Sequence, residues 1–85
     1  MFYVYILQSK KDKRTYTGFS KNLRERIEQH NKGKVKITQN RLPMELVYYE
    51  AFKNETAARR QELFYKTGQG RRILKKRLYF IYKDK

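Results

Sequence analysis

The chain has 85 residues, enough for one domain with a thin core and too few for a second. Its 22 Lys and Arg stand against 8 Asp and Glu, and a net charge of +14 repels itself unless a polyanion is the partner, nucleic acid before an acidic membrane surface. With no cysteine and a single histidine, disulfides, thiolate metal sites and histidine clusters are excluded, so a bound metal must be held by oxygen ligands, which favours magnesium or manganese over zinc.

Residues 2–7 are a continuous apolar and aromatic run rich in β formers, which predicts a strand buried on both faces. Ser9-Lys10-Lys11-Asp12-Lys13 has the chemistry of a turn, and residues 14–19 then read as a returning strand, so that 2–19 form a β-hairpin. Tyr5 and Tyr16 share a face of that hairpin if paired residue numbers sum to an odd value, and a sum of 21 sets them directly opposite. A helix is predicted over about 22–32, capped by Asn22 with Glu25 at the capping-box position and ended by Lys32-Gly33. Leu23 and Ile27 mark its apolar stripe, and Arg26 and His30, four apart, lie on the flank of that stripe. An arginine at the edge of a buried stripe calls for an anion or another reason to be there.

Residues 33–45 form a basic connector with Lys34, Lys36, Arg41 and the single proline, Pro43. Residues 46–52 read as a third strand, and Asn54 caps a second helix that runs to Gly68. On that helix Ala58, Glu62 and Tyr65 fall at i, i+4 and i+7, which puts Glu62 in the inward stripe, where a carboxylate is costly without a cation or a metal. A last helix, about 70–82, carries Arg71, Arg72, Lys75, Lys76 and Arg77 beside Ile73, Leu74, Leu78 and Phe80. No apolar run reaches the length of a membrane span, and the N-terminal segment lacks the basic stretch of a signal peptide, which points to the cytoplasm.

Each of these groups also has a plain structural role open to it. With eight tyrosines, any one is more often a packing residue than a catalyst, and Tyr48, Tyr49, Tyr79 and Tyr82 read as structural or stacking residues. A lone histidine usually caps or packs; Glu62 can pair with Arg59 or Lys66 on its own helix, and Arg26 with Glu25 or Glu28.

The ordered set of motifs resembles the GIY-YIG nuclease superfamily, in the form of a small stand-alone bacterial domain, over nearly the whole chain. Tyr3-Val4-Tyr5-Ile6-Leu7-Gln8 resembles the first motif, and Tyr16-Thr17-Gly18-Phe19-Ser20 with Asn22-Leu23 the second. Arg26-Ile27-Glu28-Gln29-His30-Asn31 is similar to the arginine–histidine helix, and Glu62 through Gly70-Arg71 to the glutamate helix and the glycine-containing boundary behind it. Tyr3 stands where the first motif has its glycine and Thr17 where the second has its isoleucine, and no asparagine follows Asn54, although some members use a late one.

The resemblance implies an α/β (α+β) fold, a three-stranded antiparallel sheet flanked by helices, and one domain over residues 1–85. It implies a metal-dependent DNA endonuclease of low sequence specificity, selective for DNA structure and active in repair or recombination. Glu62 would hold one divalent cation, magnesium or manganese, with no small-molecule cofactor, and Arg26 would bind the scissile phosphate. Tyr16 would be the general base, with Tyr5 and His30 as its hydrogen-bonded partners. Lys34, Lys36, Arg41, Arg71, Arg72, Lys75, Lys76 and Arg77 are the expected backbone contacts. The alternative is a nucleic-acid-binding module that keeps the fold without turnover; a basic RNA-binding protein fits the charge but leaves Arg26 and Glu62 unexplained.

Overall fold

A run of apolar side chains with no polar face is hidden best in the middle of a sheet covered on both sides, and that is where the N-terminal run lies. In the computed structural model, which describes residues 1–83, β1 (Phe2–Ser9) is flanked by β2 (Thr15–Ser20) and β3 (Met44–Phe52), antiparallel to both. Helix α1 (Leu23–Asn31) follows β2, α2 (Glu55–Tyr65) follows β3, and α3 (Gly68–Lys83) follows α2. Residues 84–85 and the side chains of residues 81–83, Tyr82 among them, lie outside the described part. The three-stranded antiparallel sheet flanked by helices is the architecture the sequence predicts.

Alternation along β1 divides the molecule. Val4 and Ile6 pack with Ala58, Tyr65, Leu74 and Leu78 of α2 and α3, whereas Tyr5 and Leu7 point to the other face, towards Leu23 and Ile27 of α1. Asn22 caps α1 by accepting the Glu25 N–H at 3.1 Å, and Asn54 caps α2 by accepting that of Ala57 at 2.9 Å. Gly33 leaves α1 at φ +74, a conformation that glycine adopts without strain.

The boundary between α2 and α3 differs from the sequence reading. The second helix ends at Tyr65, and Gly68 is the first residue of α3 rather than a left-handed cap. Thr67 makes the turn: its hydroxyl donates to the Phe64 carbonyl at 2.7 Å and accepts the Gly70 N–H at 3.0 Å. Gly70 lets the helices touch, since a Cβ there would overlap the Phe64 carbonyl.

The basic connector is pinned rather than loose. Val35 and Thr38 are buried, and the Asn31 carboxamide pairs in both directions with the Met44 backbone, at 2.9 and 3.0 Å. Ser9, fully buried, donates to the Arg41 carbonyl at 2.6 Å and accepts the N–H groups of Lys11 and Asp12, both at 3.1 Å. The Arg41 guanidinium is bound to Asp12 at 2.8 Å, so this expected backbone contact also fastens the hairpin turn to the connector.

Across the sheet, a polar network joins β3, α2 and α3. Tyr48 and Tyr65 donate to Glu50 Oε2 at 2.6 and 2.7 Å, and Gln61 donates to Glu50 Oε1 at 3.0 Å. Arg77 stands 3.5 Å from Glu50 and donates to the Tyr48 hydroxyl at 3.2 Å. Burial pushes the Glu50 carboxyl up, but the three hydrogen bonds and Arg77 together hold it below its ordinary 4.5. Glu50→Ala strips two phenols and an amide of their acceptor and should cost about 2–4 kcal/mol in urea unfolding at pH 7. Because the folded-state value is depressed, this contribution is complete above pH 4.5 and fades below it; the wild-type and variant stabilities should therefore converge on acidification. A constant gap down to acid pH would mean that packing, not the charge, is what Glu50 supplies.

Candidate active site

The register of the hairpin decides which groups meet. Tyr5 lies opposite Gly18 and Leu7 opposite Tyr16, a pairing sum of 23 rather than 21. Any odd sum keeps Tyr5 and Tyr16 on one face, so the shift turns a direct pair into a diagonal one with ring centroids 6.3 Å apart. The space over Gly18 accounts for the shift. A Cβ at residue 18 would overlap the Tyr5 ring and hydroxyl, so the ring lies across the glycine.

From there the fully buried Tyr5 hydroxyl reaches His30 Nε2 at 3.0 Å, while His30 Nδ1 lies 2.7 Å from the Thr38 hydroxyl. The Thr38 hydroxyl also lies 3.5 Å from the Val35 carbonyl. These contacts form a chain from Tyr5 to His30 to Thr38 to the connector backbone. Burial, reinforced by the nearby Arg26 charge, lowers the His30 pKa to about 4, so the ring is neutral near pH 7. Burial also pushes the Tyr5 phenol up to about 12, against the pull of Arg26, while Tyr16 and Glu62 push it further up. Tyr16 stacks edgewise on His30 at 5.1 Å and is only half-buried, on the edge strand β2.

Arg26 donates to Gln29 Oε1 at 3.0 Å, and no carboxylate pairs with it among the described residues; Glu25 and Glu28 do not take it up. Glu62 differs. Its side chain is 16% exposed and Lys66 Nζ lies 2.9 Å from it, while Arg59 pairs with Glu55 instead. The sequence set therefore divides. Tyr5, Tyr16, Arg26 and His30 are brought together, and the Glu62 charge acts on Tyr5 from α2.

An open cleft of about 700 Å³ runs along the free edge of β2, with Tyr16, Arg14, Arg41, Lys66, Arg71 and Lys75 in its walls. Of the expected backbone contacts, Arg41, Arg71 and Lys75 line it; Lys34 and Lys36 are exposed on the connector, Arg72 and Lys76 are exposed on α3, and Arg77 serves the Glu50 network. Thr38 and Lys66 escaped the functional reading of the sequence. Nothing in a basic connector marks one threonine as buried, whereas the four-residue spacing from Glu62 does mark Lys66 as its partner.

A metal must fit this donor set. Among the described residues no three His, Asp or Glu side chains cluster so as to hold an ion. Magnesium is commonly held by one or two carboxylates together with substrate phosphate and water, so Glu62 alone can serve as its protein ligand, and Lys66 at 2.9 Å must give way for it to do so.

Comparison with known proteins agrees with the geometry. The profile of the GIY-YIG catalytic domain matches residues 1–77. The chain belongs to the GIY-YIG family. It is 46% identical over 67 residues to a UPF0213 protein of Clostridium perfringens, covering 78% of this chain and 71% of that one. A UPF0213 protein of Streptococcus pyogenes serotype M5 is 43% identical over 65 residues, 75% of this chain and 70% of the relative. The solution NMR structure of a UPF0213 protein from Bacillus halodurans superposes with a TM-score of 0.54 at 37% identity, over 87% of this chain and 82% of that one. The family is that of a nuclease superfamily, whose substrate is nucleic acid and whose members generally depend on a divalent metal.

Two outcomes follow from the geometry. Gly18→Ala should cost about 1–3 kcal/mol by overpacking against Tyr5, and Tyr5→Leu should relieve part of that cost in a double-mutant cycle read by urea unfolding; additive effects would place the collision elsewhere. His30 titrates at 6.5 when unfolded and about 4 when folded. Its contribution is present above pH 6.5 and is lost as the pH falls towards 4, a decline of roughly 3 kcal/mol. A His30→Gln variant should lack most of this decline, and an NMR midpoint for His30 above 6 would contradict it.

Proposed function

We propose that the protein is a metal-dependent endonuclease that hydrolyses DNA phosphodiesters with low sequence specificity, working as one domain in the cytoplasm on branched, flapped or damaged DNA. The observation that carries this reading is Arg26: a half-buried guanidinium with no carboxylate partner among the described residues, beside the Tyr5–His30 pair. A planar fork that meets only neutral partners, the Gln29 carboxamide and a buried phenol, suits the non-bridging oxygens of a phosphate.

Each residue then has a role fitted to its surroundings. Tyr5, buried and pushed up to about 12, stays protonated and positions His30. Tyr16 is the phenol that reaches the cleft, so it is the one that can meet a water; as its phenolate it would take the water proton while the water oxygen attacks phosphorus, one ester P–O bond breaks and the leaving oxygen is protonated from solvent. Arg26 binds the charge that grows on the phosphoryl oxygens. When bound at Glu62, magnesium would supply Lewis-acid stabilisation of the same charge. Arg71 and Lys75, with the exposed Lys34 and Lys36, hold the DNA backbone.

The Lys66–Glu62 pair, at 2.9 Å, favours the second reading, a binding module whose carboxylate is already neutralised. A plasmid-nicking assay separates the two. Magnesium-dependent nicking should fall roughly 10²–10³-fold in Arg26→Ala and vanish in Glu62→Ala. Metal-free DNA binding should hardly change in either variant. No nicking by wild type alongside intact binding selects the module, and full nicking by a folded Glu62→Ala protein sinks the assigned mechanism.

A further inference from the structure

Ile37 is 67% exposed although both of its near neighbours in the loop, Val35 and Thr38, are buried. A single exposed isoleucine needs no explanation in general. This one has no freedom to fold inward. Thr38 is held by His30 at 2.7 Å and its N–H by the Val35 carbonyl at 3.1 Å, while the Thr38 carbonyl accepts the Arg41 N–H at 2.9 Å. The β-branched side chain is therefore presented at the tip of a pinned turn, one residue from the group that orients His30. It forms part of the wall of the cleft that also contains Tyr16, Arg71 and Lys75. Its own segment, Lys34-Val35-Lys36-Ile37, alternates exposed cations with apolar side chains.

An apolar tip between phosphate-binding cations matches one feature of nucleic acid, the faces of stacked bases. A rigid aliphatic side chain entering a base step buries its own surface and opens the stack, at a cost that is least where the stack is already broken. We propose that Ile37 is a wedge that enters the base step beside the bound phosphate and thereby selects DNA with an interrupted stack, such as a flap junction, over continuous duplex. This rests on the nuclease reading and adds to it the residue that makes the selection. The cations fix the backbone on either side without regard to sequence, and the wedge reads deformability alone.

The test uses magnesium-free binding, so that cleavage does not enter, with 2-aminopurine placed at the junction of a flapped duplex and at the same position in a continuous one. Wild type should bind the flap roughly ten- to hundredfold more tightly, the affinity equivalent of burying one isoleucine side chain, and should raise the junction fluorescence as the base unstacks. Ile37→Ser should lose both the preference and the rise, keep its affinity for continuous duplex within about twofold, since no charge is removed, and keep the wild-type circular dichroism. Ile37→Leu should retain the preference. An Ile37→Ser protein that still selects the flap and unstacks the base overturns the wedge. Wild type that nicks DNA without moving the fluorescence also overturns the wedge and leaves the nuclease reading standing; wild type that binds no DNA removes both.

Discussion

The hydrogen bond from Tyr5 to His30 is the constraint on which most of the site depends. A phenol with no exposure must find an acceptor, because a buried hydroxyl left without one costs a few kcal/mol. His30 meets that hydroxyl through Nε2 at 3.0 Å, and its Nδ1 is matched in turn by Thr38 at 2.7 Å. Satisfying one hydroxyl thus ties the central strand to α1 and α1 to the connector. The same bond needs the Tyr5 ring to lie across Gly18, so the absence of a side chain on β2 belongs to the network as much as the polar atoms do.

A thin domain has little surplus stability with which to hold a polar site, and here the two demands are placed on opposite faces of one strand. Val4 and Ile6 fill the apolar layer against α2 and α3, while Tyr5 and Leu7 serve the α1 side. The larger helical layer also has a polar clamp of its own at Glu50, which draws partners from three elements. Strain or desolvation on the α1 face is therefore balanced by a core that does not share its residues.

Much of this was legible in the sequence. Caps at Asn22 and Asn54, the exit at Gly33 and the alternation in residues 2–7 are local signals, and local signals fix the elements. The four-residue spacing of Arg26 and His30 gave their common flank for the same reason. Parity put Tyr5 and Tyr16 on one face but could not select between sums of 21 and 23, because that choice is made by the collision of a ring with a Cβ that Gly18 lacks. Thr38 and Glu50 were invisible for a related reason. Their importance comes from partners 8 and 11–15 residues away, and no periodicity carries that information. Gly68 resembled a helix stop because it lies beside the true boundary, which Thr67 and Gly70 make through a hydroxyl and a close approach.

Charge is unevenly paired over the surface. Among the described residues, five acidic side chains, Asp12, Glu45, Glu50, Glu55 and Glu62, take up six of the cations in ion pairs, among them Arg41, Lys66 and Arg77. Lys13, Arg14, Arg71 and Lys75 pair with none of these acids, and all four line the cleft beside β2. An edge strand offers unpaired backbone groups that invite another strand, and lysines and arginines around it discourage that approach. The same cations raise the local concentration of phosphate next to Tyr16. Protection of the edge and attraction of a polyanion are thus served by one arrangement of charge, on the side of the sheet where Tyr16 meets the cleft.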